Sequence, residues 1–114
     1  MSNARLNCVA LDREHLSQNT FGDEKLLQEV IVLFNTQIAM SRRHISTYVQ
    51  RGEWVLFTHT LKGAASAIGA MQFHELADEF ELSGPPSDED QAFAMLRAYD
   101  ATVEAFKSEV AKHL

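Results

Sequence analysis

Residues 53–69, EWVLFTHTLKGAASAIG, decide the fold of this chain because they read as one amphipathic helix. At about 100° per residue, apolar and small side chains recur every three or four positions and form one stripe that a helical bundle would bury. The stripe consists of Trp54, Thr58, Leu61, Ala65 and Ile68. Gly69 stands where a glycine commonly ends a helix. The stretch therefore predicts a helix over about residues 53–68 with one buried face and one face in water.

The rest of the chain also predicts helices. A short leader helix covers about residues 11–18, and Asp23 is a suitable N-cap for a long helix to about residue 50. A third segment covers residues 71–82, and its pattern predicts burial of Phe73, Leu76, Ala77 and Phe80. Ser87 or Asp88 caps a last helix to about residue 113. Helices joined by short turns favour an all-α, antiparallel up-down four-helix bundle with the short N-terminal leader helix. We expect the leader segment at residues 1–20 and the bundle at residues 21–114.

Composition excludes several classes of protein. The chain has 114 residues, enough for one domain, and its 16 acidic and 10 basic residues argue against nucleic-acid binding. The longest apolar run covers residues 30–34, which is too short for membrane insertion. The first residues lack the apolar core of a signal peptide, and the single cysteine, Cys8, cannot form an internal disulfide. We therefore expect a cytoplasmic protein.

The polar side of the 53–69 helix carries His59, Lys62, Gly63 and Ser66 within one arc. A neutral imidazole is a competent nucleophile near neutral pH, and an ammonium can hold an anion attached to the ring. Glycine in a helix interior costs about 1 kcal/mol relative to alanine, so Gly63 indicates clearance for a large partner. Ser66 is either a hydroxyl donor to the anion or a small residue on a docking face. These residues predict that His59 accepts phosphate and that Lys62 stabilises it.

The pattern His59-x-x-Lys62-Gly63, followed by small residues and Gly69, resembles the signature of histidine-containing phosphotransfer domains. The helical pattern matches these domains over nearly the whole chain. The resemblance implies a phosphocarrier that takes a phosphoryl group from the aspartate of one receiver domain and passes it to another. Its partners would be response-regulator receiver domains and a hybrid sensor kinase, and it would have no ATP-dependent kinase activity of its own. We expect it to act as a monomer.

Two accessory residues follow from folding the chain back on itself. A turn about Gly52 places Arg42 near the height of His59, where it would extend the positive field or remain a solvated charge. A turn about Ala70 places Glu81 level with His59, where related domains often have a glutamine. A carboxylate there could orient the ring N–H, yet it would repel phosphate.

Val55 and Leu56 lie one turn before His59 and outside the buried stripe. An apolar pair at this position suits a docking surface for a receiver domain, provided that it is exposed. The alternative is that flanking helices bury both side chains near the turn at Gly52.

No metal site is expected in this chain. The remaining histidines, His15, His44, His74 and His113, show no spacing that places two of them on one helix face. The resemblance implies no cofactor, since magnesium is expected only in the partner receiver domain.

Two other functions compete with phosphotransfer. The dimerising helix pair of a sensor kinase also exposes a histidine, but that class usually has a proline about five residues later, where this chain has Ala64. The second alternative is an adaptor or structural bundle that docks or sequesters receiver domains without accepting phosphate. The sequence leaves this second alternative open.

Overall fold

The computed structural model describes residues 8–113, and this range contains five helices and no strand. The helices are α1 (Arg13–Asn19), α2 (Glu24–Gln50), α3 (Trp54–Ile68), α4 (Met71–Ser83) and α5 (Glu89–His113). The predicted all-α class is confirmed, and each helix lies within about two residues of its predicted range. Residues 1–7 of the predicted leader segment lie outside the described residues, as does Leu114.

Carboxylate caps set the starts of three helices. The Asp12 side chain accepts the backbone N–H of His15 at 3.1 Å, which explains why α1 begins two residues later than predicted. Asp23 accepts the first amides of α2, as the sequence predicts. Of the two candidates for α5, Asp88 makes the cap, because its carboxylate accepts the N–H of Gln91 at 2.7 Å.

The core gathers around α3. Every residue of the predicted stripe is buried, and Phe57 joins them. The four residues that α4 buries are also those that its pattern predicts: Phe73, Leu76, Ala77 and Phe80. The Trp54 indole donates to the carbonyl of Phe80 at 2.8 Å, which fixes the start of α3 against the end of α4. Since Lys62 in turn contacts Asp78, the two helices run antiparallel.

Helix α5 is fixed against α2 by one buried hydrogen bond and one ring contact. The Tyr99 hydroxyl donates to the carbonyl of Ile38 at 2.7 Å, and burial raises the pKa of Tyr99 far above its ordinary value. The rings of Phe34 and Phe106 meet edge to face with centroids 5.0 Å apart. No helix among residues 8–113 combines the length and apolarity needed to cross a bilayer.

Candidate functional site

His59 lies on the water side of α3, as its helical position predicts. Its side chain is 61% exposed, whereas the neighbouring Thr58 and Leu61 are buried. The backbone that carries the ring is therefore held by packed neighbours while the ring itself is open to a second protein.

The His59 ring contacts a carboxylate from α4. Its Nε2 lies 3.2 Å from Oε2 of Glu81, so the fold-back about Ala70 places Glu81 where the sequence predicts. A carboxylate only accepts hydrogen bonds, so Glu81 can orient a ring that carries its proton on Nε2. In that neutral form the lone pair lies on Nδ1.

Lys62 is bound to a second carboxylate of α4. Its ammonium contacts Asp78, and both side chains are about a third exposed. The hydrogen bond to Asp78 raises the pKa of Lys62, and the charges of Asp78, Glu81 and Glu75 add to that effect. Lys62 is therefore cationic at neutral pH, but an incoming anion has to share it with Asp78.

Gly63 and Ser66 lie further along the same exposed side of α3. A Cβ built on Gly63 would meet no atom within 4 Å outside its own helix backbone, so the space in front of it is open. The backbone carbonyl of Ser66 lies 2.8 Å from Nε2 of His15 in α1. The structure thus leaves open space at Gly63, and the Ser66 backbone contacts the leader helix.

Apolar side chains lie exposed next to His59. Val55 is 60% exposed and Leu56 is 53% exposed, so the alternative that flanking helices bury them is wrong. Leu82, which follows Glu81 in α4, is 89% exposed. The sequence did not single out Leu82, because its position outside the buried face of α4 indicates exposure but not which other exposed apolar residues lie near it.

Arg42 is brought together with Asp100 of α5 rather than with His59. Its guanidinium donates two hydrogen bonds to the Asp100 carboxylate, at 2.9 and 3.1 Å. This hydrogen bonding lowers the pKa of Asp100 and raises that of Arg42. The partner of the guanidinium is therefore a carboxylate of α5.

Asp78 is the residue of this site that the sequence analysis missed. The signal was available, because the fold-back that sets Glu81 opposite His59 also sets Asp78 opposite Lys62. Asp78 also belongs to a half-buried group with His74 and Glu75, in which one ligand atom of each residue lies within 4.8 Å of the others. The cation that contacts this group in the structure is the Lys62 ammonium.

Comparison with known proteins identifies one family. The family model described as Hpt domain matches residues 51–111, which include α3, α4 and most of α5. The matched range contains His59, Lys62, Asp78 and Glu81. Searches of curated proteins and of solved structures gave no match.

Proposed function

The chain belongs to the Hpt domain family, and we propose that it carries a phosphoryl group on His59 between the aspartates of receiver domains. Hpt domains are phosphocarrier modules of two-component signalling rather than kinases. The observation that carries the proposal is the exposure of the His59 ring on a helix whose opposite side is packed in the core. A receiver domain can reach this ring without any rearrangement of the core.

The proposed transfer needs little from the chain beyond position and charge. The imidazole lone pair of His59 attacks phosphorus, the N–P bond forms, and the acyl O–P bond of the receiver's aspartyl phosphate breaks to release its carboxylate. Glu81 orients the ring through its contact with Nε2, and Lys62 neutralises phosphoryl charge. The receiver supplies magnesium, and the reverse step delivers the group to the next aspartate.

We also propose that α2 to α5 form the antiparallel four-helix bundle of such a carrier, with α1 as its leader helix. The antiparallel contacts of α3 with α4 support this arrangement. So do the contacts that join Ile38 and Phe34 of α2 to Tyr99 and Phe106 of α5, since the position rises along one helix as it falls along the other.

The proposed docking surface for a receiver domain consists of Val55, Leu56 and Leu82. Val55 and Leu56 are exposed one helical turn before His59, and Leu82 is exposed next to Glu81, which contacts the ring. The partners that fit this chemistry are response-regulator receiver domains and the receiver domain of a hybrid sensor kinase. We propose that the chain serves them as a cytoplasmic monomer.

A phosphotransfer assay tests the proposal. The chain is incubated with a receiver domain phosphorylated with a radioactive label, and the label on the chain is tested for acid lability and base stability. We expect phosphohistidine on the natural chain, none on His59→Gln, and an undiminished amount on His44→Gln, which alters another exposed histidine. Label that persists on His59→Gln overturns the assignment of the acceptor.

The adaptor alternative has one observation in its favour. Carboxylates already contact both His59 and Lys62, and a phosphoryl group would have to face them. An adaptor would bind receiver domains with equal affinity in the natural chain and in His59→Gln, as measured by calorimetry, while neither protein takes up label. Uptake of label by the natural chain excludes this alternative.

A further inference from the structure

We propose that Glu81 and Asp78 compete with the phosphoryl group for His59 and Lys62, so that the carrier holds phosphate weakly and gives it up easily. This inference rests on the proposed function and concerns the balance between the phosphorylated and free states of the same site. Glu81 and Asp78 are then positioning residues. Glu81 acts on the reacting ring of His59, and Asp78 acts on the neighbouring ammonium of Lys62.

Two contacts between α3 and α4 support this inference. Each of the two α3 side chains that phosphate needs is in contact with an α4 carboxylate, His59 with Glu81 and Lys62 with Asp78. A phosphoryl group on Nε2 would have to take the place of Glu81 Oε2, which lies 3.2 Å away, and a phosphoryl group on Nδ1 would add negative charge to a ring that Glu81 contacts. It can gain the Lys62 ammonium only by taking it from Asp78.

The charges around Lys62 determine whether the carboxylates favour the phosphorylated or the free state. Three carboxylates act on this one ammonium, those of Asp78, Glu81 and Glu75. The surroundings of Lys62 are therefore already negative before a phosphoryl group adds further negative charge. Like charges repel, so the carboxylates raise the free energy of the phosphorylated state relative to the free state. Salt screens such exposed charges and should reduce the effect.

An equilibrium with a small donor tests this without a partner protein. Phosphoramidate gives its phosphoryl group to His59 as the donor P–N bond breaks, the new N–P bond forms and ammonia leaves. The fraction of phosphorylated chain is measured by intact-protein mass spectrometry at a fixed ratio of phosphoramidate to ammonia. We expect Glu81→Gln and Asp78→Asn each to raise the equilibrium constant about fivefold in low salt and less in high salt.

A matched control tests for a general effect of net charge, and a double variant tests whether Asp78 acts through Lys62. Glu104→Gln removes one exposed negative charge from α5, and it should leave the equilibrium constant unchanged. Asp78 acts through Lys62, so the effect of Asp78→Asn should shrink in a Lys62→Met background, whereas the effect of Glu81→Gln should persist. An undiminished effect of Asp78→Asn in that background overturns its role as a competitor for Lys62.

The failure of this inference is distinguishable from the failure of the proposed function. If the natural chain takes up phosphate and both carboxylate variants behave as Glu104→Gln does, the competition is disproved and the carrier function stands. If neither the natural chain nor any variant is phosphorylated on His59, the carrier function itself is disproved, and the competition with it. Thermal unfolding of each variant checks that the fold is retained, which we expect because both side chains are partly exposed.

Discussion

The backbone amide of Asp12 donates a hydrogen bond to the carbonyl of Gly69 at 2.7 Å, which joins the segment before α1 to the end of α3. The Asn19 side chain adds a second bond to the carbonyl of Ala67, also at 2.7 Å. The last carbonyls of a helix have no partner within that helix, so α1 completes the end of α3. The leader is thereby part of the scaffold that holds His59.

Substitution of Gly69 by alanine should destabilise the protein. Gly69 has a φ of 79°, which favours glycine, and an added Cβ would lie 2.8 Å from the backbone oxygen of Asp12. The strained backbone and the displaced leader together should lower the free energy of unfolding by about 1–3 kcal/mol. Urea unfolding followed by circular dichroism measures the change. A variant as stable as the natural chain would show that this junction does not hold the leader in place.

Substitution of Gly63 by alanine should instead raise the free energy of unfolding. Gly63 lies within α3 without a positive φ, and an added Cβ would meet open space. The helix should gain about 0.5–1 kcal/mol in the free energy of unfolding, measured in the same way. A larger side chain, as in Gly63→Gln, should slow phosphotransfer from a receiver domain although the fold stays intact. If Gly63→Gln transfers at the natural rate, the clearance role is wrong.

The sequence predicts much of this fold because α3 and α4 have interpretable apolar stripes. The stripes of α3 and α4 appear in the structure as predicted, and the caps at Asp23 and Gly69 follow from residue chemistry alone. The contact between α1 and the end of α3 is not predictable in this way. It joins the Asn19 side chain to a backbone carbonyl 48 positions away, and no periodicity encodes such a pair.

The contacts of the candidate site are likewise predictable from the sequence only in part. Helical angle predicts the exposure of His59, and a simple fold-back predicts its contact with Glu81. Arg42 shows where that reasoning fails, because its partner is Asp100 of α5. A fold-back about Gly52 pairs α2 with α3 alone, and it contains no information about which side chains of α5 lie within reach of Arg42.

Substitution of Tyr99 by phenylalanine tests the link between α2 and α5. The variant loses the hydrogen bond from the buried hydroxyl to the carbonyl of Ile38. We expect a loss of about 1 kcal/mol in the free energy of unfolding, the usual contribution of one such bond. Tyr48→Phe is the matched control, since Tyr48 is only half-buried. Equal losses in the two variants would show that the buried hydroxyl has no special role.

The pair of Arg42 and Asp100 should make stability depend on pH in acid. Hydrogen bonding to Arg42 lowers the pKa of Asp100 in the folded state, so the pair stabilises the fold above the unfolded pKa. This contribution is lost as the pH falls through the folded pKa. Because the pair is exposed, Asp100→Asn should cost at most about 1 kcal/mol at neutral pH. Below the folded pKa of Asp100 the natural chain and the variant should be equally stable in denaturant unfolding. A constant difference across this range would contradict the linkage.

Substitution of Lys62 by alanine tests the charge at the phosphate site most directly. The ammonium is the cation closest in sequence to His59 on its face of α3, and only Asp78 must release it. Its loss should slow transfer from a phosphorylated receiver domain about fivefold, the factor expected for one charge pair in water. Rapid-quench measurements give the rate, and Lys62→Arg should recover part of it because the positive charge is retained.

The control for this variant is Lys107→Ala, which removes an exposed cation from α5. It lowers the net charge of the chain by the same amount, so long-range attraction or repulsion of the receiver changes equally in both variants. A rate that falls only in Lys62→Ala therefore reports the local charge beside His59. If both variants transfer at the natural rate and the phosphohistidine has an unchanged lifetime, Lys62 has no part in the mechanism and its position beside Asp78 is structural.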